Sequence, residues 1–319
     1  MNSDSIANLS MNKTSPSIAL LIPCYNEAVT IAKVIDDFRS ELPDLEVYVF
    51  DNNSNDNTAE IAQSKGVKVY PVNRQGKGFV VCSMFRLVDA DIYIMVDGDD
   101  TYPAEEVHKL LEPVINESAD MVCGDRISNE SYSTQNSRAF HQFGNFVVTG
   151  LISLLFGVRL KDTMTGYRVF NRRFVKSLPI LSKGFEIEVE LTMTSVHYNY
   201  RIIEKPIKYR ERPSGSFSKL NTFKDGFRII AIILDVFGKY KPLTLFGSLA
   251  ALFSVASLFI GVPVVLEFFD TGLVNKFPSA FLSLGLGIIS VVLFGVGLNL
   301  HNVSRLNREL MDVLLKRNI

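Results

Sequence analysis

Ile92-Tyr93-Ile94-Met95-Val96-Asp97-Gly98-Asp99-Asp100 is an apolar run that breaks abruptly into acid and glycine. A short continuous apolar segment bounded by turn residues is the pattern of a strand buried on both faces. It sets Asp97 and Asp99 at the strand's carboxyl end, where open α/β sheets bind their ligands. Carboxylates spaced so closely suit a hard divalent cation, Mg2+ or Mn2+, which takes oxygen ligands and shares them with substrate phosphates. A solvated turn rich in Asp and Gly has the same composition, and D-x-D by itself does not separate the two readings.

Working back from this run, strands and helices alternate. Ile18–Ile22 reads as a strand, Glu27–Arg39 as a helix, Val47–Phe50 as a strand and Thr58–Lys65 as a helix; Val67–Tyr70, a helix around Gly78–Val88 and Ile92–Val96 follow. Such alternation predicts a parallel sheet with helices on both faces. The loops Pro23-Cys-Tyr-Asn-Glu27 and Asp51-Asn-Asn-Ser-Asn-Asp-Asn-Thr58 leave the same edge as Asp97 and Asp99. Asn52, Asn53, Ser54 and Asn57 also fit as turn and N-cap residues before the helix at Thr58. Gln75-Gly-Lys-Gly78 has the look of a phosphate cradle without being a Walker motif.

Hydrophobic residues make up 47% of the 319, and the excess is concentrated near the carboxyl end. No charged residue occurs from Leu243 to Val262 or from Ala280 to Leu300, and each run, as a helix, reaches the ~30 Å of a bilayer core. Two transmembrane helices are expected, about 243–266 and 280–300, with Gly261 and Pro263 ending or kinking the first. Lys239 and Lys241 precede the first run and Arg305, Arg308, Lys316 and Arg317 follow the second, while the connection holds Glu267, Asp270 and Lys276. This asymmetry predicts both termini in the cytoplasm of a multi-pass cell-membrane protein. Residues 1–16 form a polar tail without an apolar signal region. The expected division is therefore tail 1–16, α/β domain 17–221, juxtamembrane amphipathic helix 222–242 and membrane segment 243–319. Within Phe223–Tyr240, Lys224, Arg228 and Lys239 flank Ile229–Leu234, which suits an interfacial helix, with Asp235 on a polar side or against a partner chain. Oligomerisation through the membrane-proximal helices is a further expectation. Cys24, Cys82 and Cys123 suit a reducing compartment, the four histidines lack ligand spacing, and a net charge of -1 argues against a nucleic-acid partner.

The order P-x-Y-N-E, D-N-N-S-x-D-x-T, R-Q-G-K-G and V-D-G-D resembles the nucleotide-sugar-binding half of an inverting family 2 glycosyltransferase with the GT-A (Rossmann-like) fold. Gly124-Asp-Arg126, Arg138 with Asn145, Asp162-Thr-Met-Thr-Gly-Tyr-Arg168, Gly184-Phe-Glu-Ile-Glu-Val-Glu190 and Arg212-Pro-Ser-Gly-Ser-Phe-Ser-Lys219 are similar to the dolichyl-phosphate mannose synthase branch and its bacterial undecaprenyl-phosphate relatives. The resemblance covers about residues 17–242. It implies transfer of one sugar from a nucleotide diphosphate to a polyprenyl phosphate, with a UDP-sugar (UDP-GlcNAc or UDP-glucose) favoured over GDP-mannose. It also implies that Pro23, Tyr25, Glu27, Asp51, Lys77, Asp97 and Arg126 bind the nucleotide sugar, and that Asp97 and Asp99 hold the metal. Arg138, Arg168, Arg212, Ser218 and Lys219 would meet the acceptor and other phosphates or form a lid, and Asp162, Asp99 and Arg138 would be catalytic. Two phosphorylated substrates in one site need concentrated positive charge, which makes the basic residues of these motifs the natural candidates. An anionic phosphate is already a nucleophile, so Asp162 is expected to orient groups or act as a base. Glu186 and Glu190 share a helix face, either as charges favourable to a helix amino terminus or in the acceptor site. Phe140–Val158 reads as core or as a helix near the membrane surface.

Two other function classes compete. A processive polysaccharide synthase resembles its kin in a Q-x-x-R-W motif, but this chain has no Trp. A non-enzymatic membrane scaffold would tolerate broken acidic and basic motifs, which here are intact.

Overall fold

The computed structural model of the chain describes residues 16–128, 139–178, 180, 182–213, 215 and 222–317. It divides into a unit ending at Ile232 and a unit beginning at Ile233.

The first unit is built on a seven-stranded sheet in the order β3-β2-β1-β4-β6-β5-β7. Its strands are β1 (Ile18–Cys24), β2 (Glu46–Asp51), β3 (Lys68–Pro71), β4 (Ile92–Met95), β5 (Met121–Asp125), β6 (Arg168–Asn171) and β7 (Ile202–Pro206). Helices α1 (Ile31–Glu41), α2 (Thr58–Ser64), α3 (Lys77–Leu87) and α4 (Val107–Ile115) fall between the first five strands. After β5 come α5 (Ala139–Phe156), α6 (Arg172–Ser177) and α7 (Ile187–His197). Side chains of β1 alternate between two cores: Leu20 and Ile22 join Ile31, Val34, Ile35 and Leu110 on one face, while Ala19 and Leu21 join Val80, Met84, Phe170 and Leu191 on the other. Two covered faces are what the unbroken apolar strands require.

The sheet is mixed, where alternation alone predicts a parallel one. β6 runs antiparallel to both β4 and β5. The cause is topological: the chain leaves β5 at the carboxyl edge with Asp125, and Arg168 opens the next strand from that same edge, beside Met95 at the end of β4. A strand entered there must run the other way. The reversal carries Asp162–Gly166 to the edge that holds Asp97.

α1 begins at Ile31 rather than at Glu27, because residues 25–30 belong to the carboxyl edge. The amide of Glu27 donates to Thr58 Oγ1 at 2.8 Å and Thr30 Oγ1 donates to the Gly98 carbonyl at 2.6 Å. The glycines of Gln75-Gly-Lys-Gly78 accommodate protein backbone: a Cβ on Gly76 would lie 2.0 Å from the Lys183 carbonyl oxygen and one on Gly78 2.1 Å from that of Ser182. Gly76 also has φ 136°, a conformation that favours glycine.

α8 (Thr222–Tyr240) spans the division between the units. Phe227, Ile230 and Leu234 form an exposed apolar stripe on it, and Asp235 pairs with Lys239 one turn on.

The second unit is a hairpin of α9 (Pro242–Thr271) and α10 (Phe277–Arg317), both long and apolar enough to cross a membrane. α9 continues through Gly261 and Pro263 and stops at Gly272, whose φ of 68° caps it. Gly261 serves close packing, since a Cβ there would meet Ser283 Oγ at 2.3 Å. Ser257 and Ser283 exchange hydroxyl-to-carbonyl hydrogen bonds of 2.7 and 2.9 Å, and Ser290 donates to the Ala250 carbonyl at 2.8 Å. Small residues and inter-helix hydroxyl bonds are how helices associate in lipid.

Gly78→Ala is expected to destabilise the protein by about 2 kcal/mol, because the Ser182 carbonyl is backbone and cannot yield cheaply. Thermal unfolding of purified protein checks this; an unchanged midpoint would contradict it.

Candidate active site

Three loops at the carboxyl edge are laced together by short polar side chains. Asn26 N donates to Ser54 Oγ at 2.9 Å, Asn55 N to Asn26 Oδ1 at 2.7 Å and Ala28 N to Asp56 Oδ2 at 3.1 Å. Asn52 reaches the third loop, donating to the carbonyls of Val72 and Arg74 at 2.9 and 2.8 Å and accepting from Gly76 N at 2.8 Å. Asn57 sits at the N-cap of α2 without a side-chain cap bond, while Asp56 Oδ1 accepts from Thr58 N at 3.1 Å. The Asx residues thus fix loop to loop more than they begin a helix.

Pro23 lies in β1 and is half-buried, as is Tyr25 just beyond it, while Glu27 is buried. Asp51 ends β2 with one carboxylate oxygen accepting from Ser54 N at 3.2 Å. Its other oxygen, Oδ1, is buried and has no hydrogen-bond partner among the described residues. A buried acceptor of this kind is costly unless something fills it.

Asp97 and Asp99 each face a cation. Lys77 Nζ is 2.6 Å from Asp97 Oδ1 and 2.5 Å from Glu188 Oε1, and Arg212 pairs with Asp99 Oδ2. Gly166 packs directly on the Asp97 carboxylate, where a Cβ would come within 2.4 Å of Oδ2. Thr101 donates to Asp99 Oδ1 from its amide at 3.2 Å and its hydroxyl at 2.7 Å. Asp100 turns away, with φ 58°, to Lys33 at 2.9 Å. Burial works against ionisation of Asp97, but Lys77, with the charges of Arg212 and Arg126, outweighs it and holds its pKa below the usual range. The balance tips the other way at Asp99: burial, reinforced by the charge of Asp97, keeps its pKa raised despite Arg212. The negative charge of Asp97 therefore bears on Asp99.

Asp162 forms a forked pair with Arg126, Nε to Oδ2 at 2.7 Å and Nη2 to Oδ1 at 2.9 Å. Arg126 Nη1 also reaches Tyr102 Oη at 3.3 Å, which accepts from Gly166 N at 2.9 Å. Glu204 holds the loop from below, accepting from the amides of Lys161 and Asp162, both at 2.9 Å. Burial raises the pKa of Glu204 against these two bonds.

Arg168 lies elsewhere than expected. It is fully buried, and its guanidinium donates to the carbonyls of Thr165, Thr163 and Glu188 at 3.0, 2.8 and 2.9 Å and to Thr192 Oγ1 at 3.0 Å. It braces the loop from inside, its donors spent on protein oxygens. Arg138, Ser218 and Lys219 lie outside the described residues. Glu186 accepts from Lys183 N and Gly184 N at 3.1 and 3.0 Å and Glu190 from Ser182 N at 2.7 Å, so both fix the loop before α7. Glu188, Gly166 and Glu204 shape the site beyond the residues to which the sequence assigns a role. Glu188 was legible in Glu186-Ile-Glu-Val-Glu190: on a helix the middle acid cannot share the face of the other two.

The model of the family described as "Glycosyl transferase family 2" matches residues 19–178, half of the chain. The chain belongs to that family. A dolichyl-phosphate hexose transferase of Haloferax volcanii is 31% identical over 223 residues, 70% of this chain and 95% of the relative. A UDP-N-acetylglucosamine–dolichyl-phosphate N-acetylglucosaminyltransferase of Methanococcus voltae is 27% identical over 214 residues, 60% of this chain and 84% of the relative. Among solved structures, glucosyl-3-phosphoglycerate synthase of Mycobacterium tuberculosis with Mn2+ and UDP-glucose superposes with TM-score 0.57 at 21% identity, over 73% of this chain and 83% of the other, a likeness of fold. The protein is a glycosyltransferase with the GT-A fold.

Proposed function

We propose that the enzyme transfers a single sugar, with inversion, from a UDP-sugar (UDP-GlcNAc or UDP-glucose) to undecaprenyl phosphate at the cytoplasmic membrane face. The observation that carries this reading is the pairing of Asp97 with Lys77 and of Asp99 with Arg212 at the carboxyl edge. Acids and cations gathered there match a bound diphosphate with its counter-ion, and the apolar pair α9 and α10 suits an enzyme whose acceptor lives in a bilayer. The names of the relatives support a polyprenyl-phosphate acceptor.

The residues fit a divalent metal. Asp97 and Asp99 would hold it, as carboxylate oxygens are the hard donors that such an ion takes. When bound, the ion would neutralise the diphosphate and make it a better leaving group. Asp51 Oδ1 offers its unfilled acceptor to a base or ribose N–H or O–H, with Pro23, Tyr25 and Glu27 beside it. Arg212, drawn off Asp99, becomes available to the phosphates, and Arg138 and Lys219 would add charge to the same task. An acceptor phosphate oxygen forms the new bond to the sugar's C1 as the bond from C1 to the diphosphate oxygen breaks. The electron pair departs with the diphosphate, and no proton need move. With both oxygens of Asp162 accepting from Arg126, we assign Asp162 an orienting task.

The direct test supplies membranes containing the protein with undecaprenyl phosphate and a panel of radiolabelled nucleotide sugars, GDP-mannose included. Label in the lipid extract from a UDP-sugar is expected; label only from GDP-mannose would change the donor, and none from any donor would overturn the reading. Asp99→Asn should lower turnover on the order of 100-fold, ~3 kcal/mol of transition-state stabilisation, with EDTA reproducing the loss in wild type. Full activity in EDTA after complete metal removal would exclude the metal. For topology, a cysteine placed at Gly272 should be labelled from outside intact cells and one at Asn318 should not; the reverse would put the site away from cytoplasmic nucleotide sugars.

A further inference from the structure

Lys77 opens α3 and is met by carboxylates from two different elements, Asp97 after β4 and Glu188 in the first turn of α7. The Lys77 side chain is 10% exposed and that of Glu188 6%, so neither charge has water to fall back on. A lysine whose task was only to neutralise Asp97 would need no second acid, and burying one is expensive without a compensating contact. Burial does push the pKa of Glu188 up, against the opposing pull of Lys77. Glu186 and Glu190 are committed to backbone amides, which leaves Glu188 as the acid of this motif that reaches the ammonium. Its backbone carbonyl is held by Arg168 at 2.9 Å, which fixes the turn that carries it.

Resting on the reading that Asp97 and Asp99 hold the metal, we propose that Glu188 is a positioning residue, a second seat for the Lys77 ammonium that lets Asp97 pass from lysine to a divalent cation. Lys77 already holds Asp97 Oδ1, so a cation bound by Asp97 would compete with it. With Glu188 present, the ammonium keeps a partner when Asp97 turns to the metal, so it stays buried, charged and in place. Without Glu188, the ammonium has only Asp97, and releasing it would leave an unpaired buried charge. The exchange breaks no covalent bond and moves no proton.

The test titrates Mn2+ into the full chain in detergent, in one series with UDP and in another with GDP, and reads free Mn2+ by electron paramagnetic resonance. Glu188→Gln is expected to weaken Mn2+ binding at least about tenfold, ~1.4 kcal/mol. The double variant Lys77→Met/Glu188→Gln should recover affinity to within about threefold of wild type, because the competing ammonium is gone. Glu188→Asp keeps the charge but shortens the reach by a methylene, and should stay weakened; it carries the comparison if Glu188→Gln does not fold. Wild-type affinity in either single variant, or a double variant as weak as Glu188→Gln, overturns the second seat while leaving the metal reading intact. A wild-type protein that takes up no Mn2+ in either series overturns the metal reading and this inference with it.

Discussion

A carboxylate taken out of water must find a cation or a set of N–H donors, and the carboxyl edge of this sheet is organised by that requirement. Asp97, Asp99, Asp162 and Glu188 are held there by Lys77, Arg212 and Arg126. Most of these groups are buried enough that removing one partner would expose the other to the full desolvation cost. Four carboxylates thus share three internal cations, with Lys77 serving both Asp97 and Glu188. Under the proposed function, a diphosphate with its metal would enter by exchange with internal partners such as the Asp99–Arg212 pair.

The sheet's mixed character serves the same edge. Because β6 enters from the carboxyl side, the Asp162–Arg168 segment is drawn under Asp97, and Gly166 touches that carboxylate. Arg168 then ties the segment to α7 through the Glu188 carbonyl, and α7 returns Glu188 to Lys77. Loop, strand and helix are thus closed into a ring around one ammonium. The glycines at 76 and 78 complete it by letting the 182–183 backbone lie against the start of α3.

Much of this was legible in the sequence. The apolar runs gave β1, β2 and β4, and the charge-free segments gave both long helices, since composition alone decides whether a helix tolerates lipid. The placement of Asp97 and Asp99 followed from where the apolar run stopped. Direction and contact were harder to read. Nothing local in Arg168–Asn171 tells an antiparallel strand from a parallel one, because the reversal depends on which edge the preceding excursion occupies. The motif around Arg168 points to a phosphate ligand because it reports residue type and not whether a guanidinium's donors are spent on carbonyls. Glu188 is hidden from that reading, because pairing acids four apart on a helix says nothing of the face between them.

The most direct measurement of the central account is the position of Mn2+ by anomalous diffraction from crystals grown with UDP. The account predicts one peak in coordinating distance of both Asp97 and Asp99, with Arg212 off Asp99 and Lys77 still against Glu188. A cation bound elsewhere, with Arg212 still on Asp99 and Lys77 still on Asp97, would contradict it.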